Sequence, residues 1–187
     1  RYGDATFDYL LERFSTIAGR PLTVDEDVYA SERRTGHRNR AIAHLLLNFG
    51  VVHDEAEAAL DVYFRQCAIQ VTARDLAMMG ATLANMGCHP ITGRSAFSIA
   101  YVKDLLSIMF TCGMYDYSGQ WAYRVGVPAK SGVAGGVMAV VNRQLGIGTY
   151  SPRLDRFGHS VRGTEVCIDP ASRLGPHVFD CVNVGSS

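Results

Sequence analysis

The sequence has no excess of charge of either sign, because 18 basic and 18 acidic residues balance within 187. It also has no stripe of basic residues with interleaved aromatics, so we expect neither a nucleic-acid partner nor binding to an anionic membrane surface. Long hydrophobic runs are missing as well. The stretch 41–52 is interrupted by His44 and Asn48, and it falls well short of the ~20 apolar residues that a membrane-spanning helix needs. We therefore expect no membrane segment.

Residue clusters that could hold a metal ion or form a disulfide framework are also missing. The six histidines fall on unrelated segments without a His-x-x-x-His pair, so we expect no metal and no other cofactor. The usage of cysteine is typical of buried thiols in a reducing compartment, which predicts a cytoplasmic location. The five cysteines are odd in number and include no Cys-x-x-Cys pair: Cys67, Cys88, Cys112, Cys167 and Cys181.

The first two thirds of the chain show the periodicity of helices. Apolar residues recur at three- and four-residue spacings in 5–19 and again in 39–49, which predicts two amphipathic helices. Thr72 and Asp75 are spaced as a capping box before a run of small apolar residues, which predicts a central buried helix. A capped apolar segment over 98–113 predicts one more helix.

Beyond residue 113 the pattern changes to short β-branched runs separated by Gly, Pro and Asn-Arg. These runs predict successive antiparallel strands, and a last amphipathic segment predicts a closing helix. The fold class is therefore α+β, with a helical part followed by antiparallel strands and a closing helix in a single domain. The sequence thus divides into a helical region 1–113, a strand region 121–151 and a terminal helix over about 158–175. The predicted strands are Val125–Val127, Val137–Val141 and Leu145–Tyr150.

Lysine is scarce, because only Lys103 and Lys130 among the 18 basic residues are lysines. Lys130 begins a Lys-Ser-Gly tripeptide, and Lys-Ser-Gly or Lys-Thr-Gly on an edge strand is a motif of the penicillin-recognising serine hydrolases. A lysine supplies a compact point charge, and a glycine lets a substrate approach the strand backbone. On these three residues alone, the favoured interpretation is a surface strand that carries Lys-Ser-Gly by chance.

Longer segments carry a more specific signal. They are SERRTGHRNRAIAHLL (31–46), DVYFRQCAIQVTARDLAMMGATLANMG (61–87), PITGR (90–94), CGMYDYSGQWAYRVGVPAKSGVAGG (112–136) and SPRLDRFGHSVRG (151–163). In their order along the chain these segments resemble the serine-dependent glutaminase family, from near residue 1 to about Gly163. The resemblance implies a β-lactamase-like fold, hydrolysis of L-glutamine to L-glutamate and ammonia through an acyl-enzyme, and a homo-oligomer, either a dimer or a tetramer.

The resemblance also implies substrate-binding roles for five positions. Glu32 and Asn39 match the pair that holds the α-amino end of the substrate and the adjacent polar atoms. Tyr63 matches a tyrosine of the pocket, and Tyr115 matches the tyrosine near the reacting carbonyl. Val133 matches a position that binds through its backbone N–H.

Each of these side chains has a simpler explanation when it is considered alone. Glu32 lies in a charged run and would be a solvated surface charge. Asn39 would be a helix cap, because it precedes an apolar helical segment. Tyr63 would be a core residue with its hydroxyl at the edge, and Tyr115 would be one of nine tyrosines.

Catalytic roles are implied for Tyr115 and Lys130, which would move a proton to the leaving ammonia and from the incoming water. The implied nucleophile, the serine of a Ser-x-x-Lys motif, is not in the chain, because Ala100 and Val127 stand three residues before the two lysines. We therefore expect the C-terminal portion of a single glutaminase catalytic domain, inactive alone, whose serine lies upstream.

Two alternatives stay open at this point. The first is an inactive fragment, or a binding and assembly module, of β-lactamase-like fold. The second is a serine hydrolase directed at β-lactams or peptides, which Glu32 and Asn39 disfavour because such a pair suits a free amino acid.

Overall fold

The computed structural model describes residues 5–53, 56–174 and 177–179. Its contacts divide the described residues into two compact units. Those up to 15 and from 20 to 70 form the first unit, and 16–19 together with those from 71 onward form the second. The single-domain organisation stays a prediction.

The first unit is helical, and the helices predicted over 5–19 and 39–49 are confirmed as α1 and α3. The second helix, α2, begins at Glu26 because the carboxylate of Asp25 accepts the backbone N–H groups of Asp27 and Val28, at 3.1 and 3.0 Å. Both α2 and α3 pack against α4. The bounds are Thr6–Ala18 for α1, whose last residues belong to the second unit, Glu26–Thr35 for α2, His37–Asn48 for α3 and Ala56–Cys67 for α4.

The second unit is built around α5, which covers Ala73–Ala84. The predicted capping box is confirmed: the backbone N–H of Asp75 donates to the Thr72 hydroxyl at 3.2 Å, and the backbone N–H of Thr72 donates to the Asp75 carboxylate at 2.7 Å. Half of the helix is buried, including Met79 and Leu83. The prediction of a central buried helix is therefore confirmed.

A three-stranded antiparallel sheet packs against α5. Its strands are β1 (Ala129–Ser131), β2 (Gly136–Val141) and β3 (Leu145–Tyr150), in the order β1-β2-β3. The strands predicted over Val137–Val141 and Leu145–Tyr150 are confirmed. In the register of β1 and β2, Lys130 stands opposite Met138.

Glycines on β3 let the helix lie directly on the sheet. A Cβ atom added to Gly146 would lie 2.1 Å from the backbone nitrogen of Ala81, and one added to Gly148 would lie 2.1 Å from the carbonyl oxygen of Ala73. The helix contributes Gly80, whose added Cβ would lie 3.1 Å from the Cα of Gly146. Small residues are therefore required where the backbone of α5 contacts the backbone of β3.

The helix predicted over 98–113 is confirmed with a change of geometry at its start. A turn of 3₁₀ helix at Ile99–Tyr101, capped by the hydroxyl of Ser98, leads into α6 at Val102–Cys112. A second 3₁₀ turn follows at Tyr115–Tyr117.

The strand predicted over Val125–Val127 is wrong, and so is the start of the strand region at 121. Residues Ser118–Arg124 form a further helix, α7, and the backbone N–H of Val125 closes it by donating to the Trp121 carbonyl at 2.8 Å. The indole N–H of Trp121 in turn donates to the Val127 carbonyl at 2.7 Å. This apolar run is a turn buried around the tryptophan, and its β-branched composition is the same as that of a strand.

The last described helix, α8, covers Val161–Leu174 and confirms the predicted closing helix; the predicted end at residue 175 lies outside the described residues. Cys167 on α8 is buried, and burial raises the pKa of its thiol to about 12. The prediction of buried thiols fails for Cys67 and Cys112, which are exposed, and Cys181 lies outside the described residues. No helix in the described part of the chain is long and apolar enough to cross a membrane.

Candidate functional site

Two of the predicted substrate-binding residues of the first unit, Glu32 and Tyr63, both influence the thiol of Cys67. Burial raises the pKa of this thiol most, a hydrogen bond with Tyr63 lowers it, and the negative charge of Glu32 raises it further; the net pKa lies above its ordinary value. Glu32 lies on α2, and the other two residues lie one helical turn apart on α4. The packing of α2 on α4 therefore places the negative charge of Glu32 where it acts on the thiol that is hydrogen-bonded to Tyr63.

Tyr63 is not a core residue, because 45% of its surface is exposed while its neighbour Phe64 is 1% exposed. The two rings meet edge to face, with centroids 6.0 Å apart. Phe64 thus fills the interior of the first unit and leaves the Tyr63 side chain accessible, so the explanation of Tyr63 as a core residue is wrong.

The turn between Glu32 and Asn39 is fixed by Gly36. A Cβ atom at Gly36 would lie 2.4 Å from Cζ of Phe64 and 2.7 Å from the carbonyl oxygen of Glu32, so only a glycine lets α2 and α3 meet this close to α4. Asn39 lies inside α3, which begins at His37, and its explanation as the helix cap is therefore wrong. Its side chain is half-buried.

Two arginines near Glu32 in the sequence, Arg33 and Arg40, are engaged by other acceptors. Arg33 lies 3.9 Å from the carboxylate of Asp61, and Arg40 lies 3.2 Å from that of Glu57 while it also donates to the Arg33 carbonyl at 2.7 Å. No ion pair involves Glu32 among the described residues. A half-buried carboxylate is therefore left available for a positively charged ligand group.

In the second unit the structure brings Tyr115 and Lys130 together. Lys130 is the outward residue of β1, because Ala129 and Ser131 on either side point into the core. Its ammonium nitrogen lies 4.4 Å from the centroid of the Tyr115 ring, within the range of a cation–π contact, and it donates to the carbonyl of Ser131. Tyr115 is 47% exposed, so the pair faces solvent.

Val133 occupies the tip of the turn between β1 and β2. The backbone N–H of Gly132 donates to the Gly136 carbonyl and that of Gly135 donates to the Gly132 carbonyl, both at 2.9 Å, which closes the turn. Val133 is 68% exposed, and within the described residues its own N–H makes no hydrogen bond. This donor is therefore available to an outside acceptor.

The end of α6 sets Tyr115 beside β1. At Gly113 an added Cβ would lie 1.8 Å from the carbonyl oxygen of Ala129, and the backbone N–H of Ser131 donates to the Gly113 carbonyl at 3.2 Å. The chain must therefore pass β1 before the 3₁₀ turn that carries Tyr115.

Sequence reasoning missed Cys67 and His159. His159 is fully buried, and its ring centroid lies 5.7 Å from that of Tyr115. The signal that could have found it is the segment LDRFGH (154–159), in which Asp155 precedes a Phe-Gly turn and can accept its backbone N–H groups.

Neither a metal-binding cluster nor a cavity coincides with these residues in the described part of the chain. Within the described ranges, no three His, Cys, Asp or Glu side chains gather in a way that could hold a metal ion. A cavity of about 840 Å³ lies between α6 and the sheet, lined by residues such as Leu106, Phe110 and Val140, and none of the predicted site residues borders it.

Comparison with known proteins connects both units to one family. The family model described as Glutaminase matches residues 2–179. A glutaminase of Trichormus variabilis is 56% identical over 175 residues, which cover 94% of this chain and 52% of that protein. Glutaminase 2 of Bradyrhizobium diazoefficiens is 54% identical over 178 residues, covering 95% of this chain and 28% of that protein. The chain thus spans about half or less of the length of these relatives.

Two solved structures share the fold of this chain. The covalent complex of the Bacillus subtilis glutaminase YbgJ with 5-oxo-L-norleucine superposes with a TM-score of 0.88 at 38% identity, covering 92% of this chain and 61% of that one. The native form of Mglu gives a TM-score of 0.90 at 44% identity, covering 96% of this chain and 44% of that one. The predicted α+β, β-lactamase-like fold is confirmed. With a family model that matches almost its whole length, the chain belongs to the glutaminase family.

Proposed function

We propose that the protein containing this chain hydrolyses L-glutamine to L-glutamate and ammonia. The observation that carries the proposal is the Lys130 ammonium 4.4 Å from the exposed Tyr115 ring, beside a turn whose Val133 N–H is available. Acyl transfer from an amide requires an acid–base group to move protons and a backbone donor to stabilise the oxyanion. Membership in the glutaminase family supports the side-chain amide of glutamine as the bond that is broken.

The route proposed is covalent, with a serine that lies outside these 187 residues. The serine gives its proton to the lysine of the Ser-x-x-Lys motif, and its oxygen attacks the side-chain amide carbonyl; the C–N bond breaks as nitrogen takes a proton, and an ester and ammonia result. Water then attacks the ester and gives up a proton, the ester C–O bond breaks to release glutamate, and the serine oxygen recovers its proton from that lysine. The Bacillus subtilis glutaminase forms its covalent complex on reaction with 6-diazo-5-oxo-L-norleucine, which supports a covalent intermediate here.

Tyr115 is the group that we assign to proton transfer in both steps. Its hydroxyl can give a proton to the leaving nitrogen and take one from water, and the phenolate between the two events is stabilised by the ammonium of Lys130. A lysine suits this position because its charge is compact and leaves the planar fork of an arginine out of the cleft. The Val133 N–H would donate to the oxyanion of the tetrahedral intermediate.

We assign recognition of a free amino acid to residues of the first unit. Glu32 is the anionic acceptor for the α-ammonium group, and Asn39 and Tyr63 are neutral hydrogen-bonding groups for the remaining polar atoms. This reading rests on the absence of an ion pair at Glu32 among the described residues. It favours a free amino acid over a β-lactam or a peptide, neither of which needs a carboxylate at that place.

Replacing Glu32 with Gln in the full-length protein tests the substrate assignment. We expect KM for L-glutamine to rise by about 10- to 100-fold, because a charged hydrogen bond to the α-ammonium is worth about 1.5–3 kcal/mol, while kcat changes less than about threefold. An analogue of glutamine without the α-amino group should show the same KM in both proteins.

The matched control is Glu26→Gln, which removes an exposed carboxylate from the first turn of the same helix. It should leave KM unchanged. Equal KM values for Glu32→Gln and Glu26→Gln would exclude Glu32 from the substrate site, and a larger KM for the deaminated analogue in Glu32→Gln would assign the carboxylate to another part of the substrate.

We also propose that the protein is a homo-oligomer, a dimer or a tetramer, in the cytoplasm. Large apolar side chains are exposed on and just after α3, among them Leu45, Phe49 and Val51, and an interface would remove such a patch from water. The thiols of Cys67 and Cys112 are free and exposed, which supports a reducing compartment.

A further inference from the structure

Tyr115 adopts a backbone conformation that a tyrosine rarely takes. Its φ is +47°, and among the described non-glycine residues only Met86 and Arg143 share a positive φ. Such a conformation persists only where the surroundings hold it, and it occurs preferentially at functional sites. The groups that hold Tyr115 in this conformation therefore determine where its hydroxyl points.

The peptide groups on both sides of Tyr115 are fixed by hydrogen bonds. The carbonyl of Met114 accepts from the backbone N–H of Tyr117 at 2.9 Å and lies 2.9 Å from Nε2 of His159. The hydroxyl of Ser118 accepts from the backbone N–H of Met114 at 3.1 Å and donates to the carbonyl of Tyr115 at 2.9 Å. Of these partners, only His159 comes from a distant part of the chain.

The imidazole of His159 has no access to solvent, and its surroundings define which nitrogen donates. A carbonyl oxygen can only accept, so Nε2 carries a proton that points at Met114. The other nitrogen, Nδ1, lies 3.4 Å from Oδ1 of Asp155. The ring is also packed against Tyr115, Tyr117 and Phe157, with centroids 5.5 to 6.2 Å apart.

Asp155 fixes the loop from which His159 projects. Its carboxylate accepts the backbone N–H groups of Phe157 at 2.8 Å and of His159 at 2.9 Å. Burial raises the pKa of Asp155, but these N–H groups and the His159 ring lower it by more, so the net pKa lies below its ordinary value. The carboxylate is thus ionised at neutral pH and holds the loop, including the backbone of His159, whereas Nδ1 of the ring makes no hydrogen bond among the described residues.

We propose that His159, held by Asp155, is a positioning residue that keeps Tyr115 in its left-handed conformation through the carbonyl of Met114. His159 does not touch the substrate, because it is fully buried, and the exposed ring of Tyr115 is the one beside Lys130. This inference rests on the proposed function, since it deepens the role given there to Tyr115.

Two amide replacements separate positioning from packing. In His159→Gln the side-chain nitrogen can reach the place of Nε2 and donate to Met114, whereas in His159→Asn the shorter side chain places its amide near Asp155 and loses that bond. In the full-length protein we expect His159→Asn to lower kcat for L-glutamine by about 10- to 100-fold, with KM within about threefold of the parent. His159→Gln should keep most of kcat.

A crystal structure of each variant supplies a readout that does not depend on activity. We expect the φ of Tyr115 to leave the positive range in His159→Asn, with its ring displaced from Lys130, and both features to persist in His159→Gln. The inference is overturned if Tyr115 keeps its conformation in His159→Asn, or if the two variants lose kcat equally. Should Tyr115→Phe leave kcat unchanged, the proton-transfer role proposed for Tyr115 fails, and the crystal structures still decide the positioning role of His159.

Discussion

Replacing Tyr115 with Phe should lower kcat for L-glutamine by about 100-fold or more in the full-length protein, because general acid–base catalysis contributes about 10²–10⁴-fold. The phenyl ring keeps its contacts with Lys130 and His159, so binding of the substrate and folding should be preserved. We therefore expect KM to stay within about threefold of the parent. Steady-state ammonia release measures both constants.

The matched control for this variant is Tyr123→Phe, which removes the hydroxyl of a highly exposed tyrosine on α7. It should leave kcat unchanged. A Tyr115→Phe protein whose kcat equals that of the control would show that Tyr115 transfers no proton. A large rise in KM with unchanged kcat would make Tyr115 a binding group only.

Replacing Gly148 with Ala should strongly destabilise the fold. The new Cβ would lie 2.1 Å from the Ala73 carbonyl oxygen and 2.3 Å from the Ala77 backbone nitrogen, and neither atom can move without shifting α5 from the sheet. We expect the free energy of unfolding to fall by about 3 kcal/mol or more. Thermal denaturation should show a midpoint lower by about 10 °C.

Gly119→Ala is the control for backbone entropy, because an added Cβ there meets no atom within 4 Å and Gly119 lies on the exposed face of a helix. It should leave the midpoint unchanged or raise it slightly, since alanine favours a helix over glycine. Equal midpoints for Gly148→Ala and the parent would contradict the direct contact of α5 with β3.

The sequence predicts those elements whose local signals agree with their tertiary environment. The capping box at Thr72 and Asp75 begins α5, and the runs that form β2 and β3 are separated by the Asn-Arg pair at 142–143. The pattern of Val125–Val127 predicts a strand wrongly because burial around Trp121 selects the same β-branched residues that a sheet selects. Composition alone cannot separate the two cases.

For the candidate site, the family resemblance predicts Tyr115, Lys130 and Glu32, and their roles stay predictions. The contacts that hold these residues in the fold could not be predicted. The positive φ of Tyr115 leaves no local mark, since a tyrosine does not favour that conformation. His159 reaches it from 44 residues away along the chain (159 − 115), and a contact of that separation exists only once the fold has formed.

The central claim is that this chain forms part of an enzyme that hydrolyses glutamine, and the release of ammonia tests it most directly. The full-length protein, purified and folded, is incubated with L-glutamine and separately with nitrocefin. We predict equal amounts of ammonia and L-glutamate from glutamine, no opening of nitrocefin, and no ammonia from the 187-residue chain alone. A folded full-length protein that releases no ammonia from glutamine, or that hydrolyses nitrocefin instead, would contradict it.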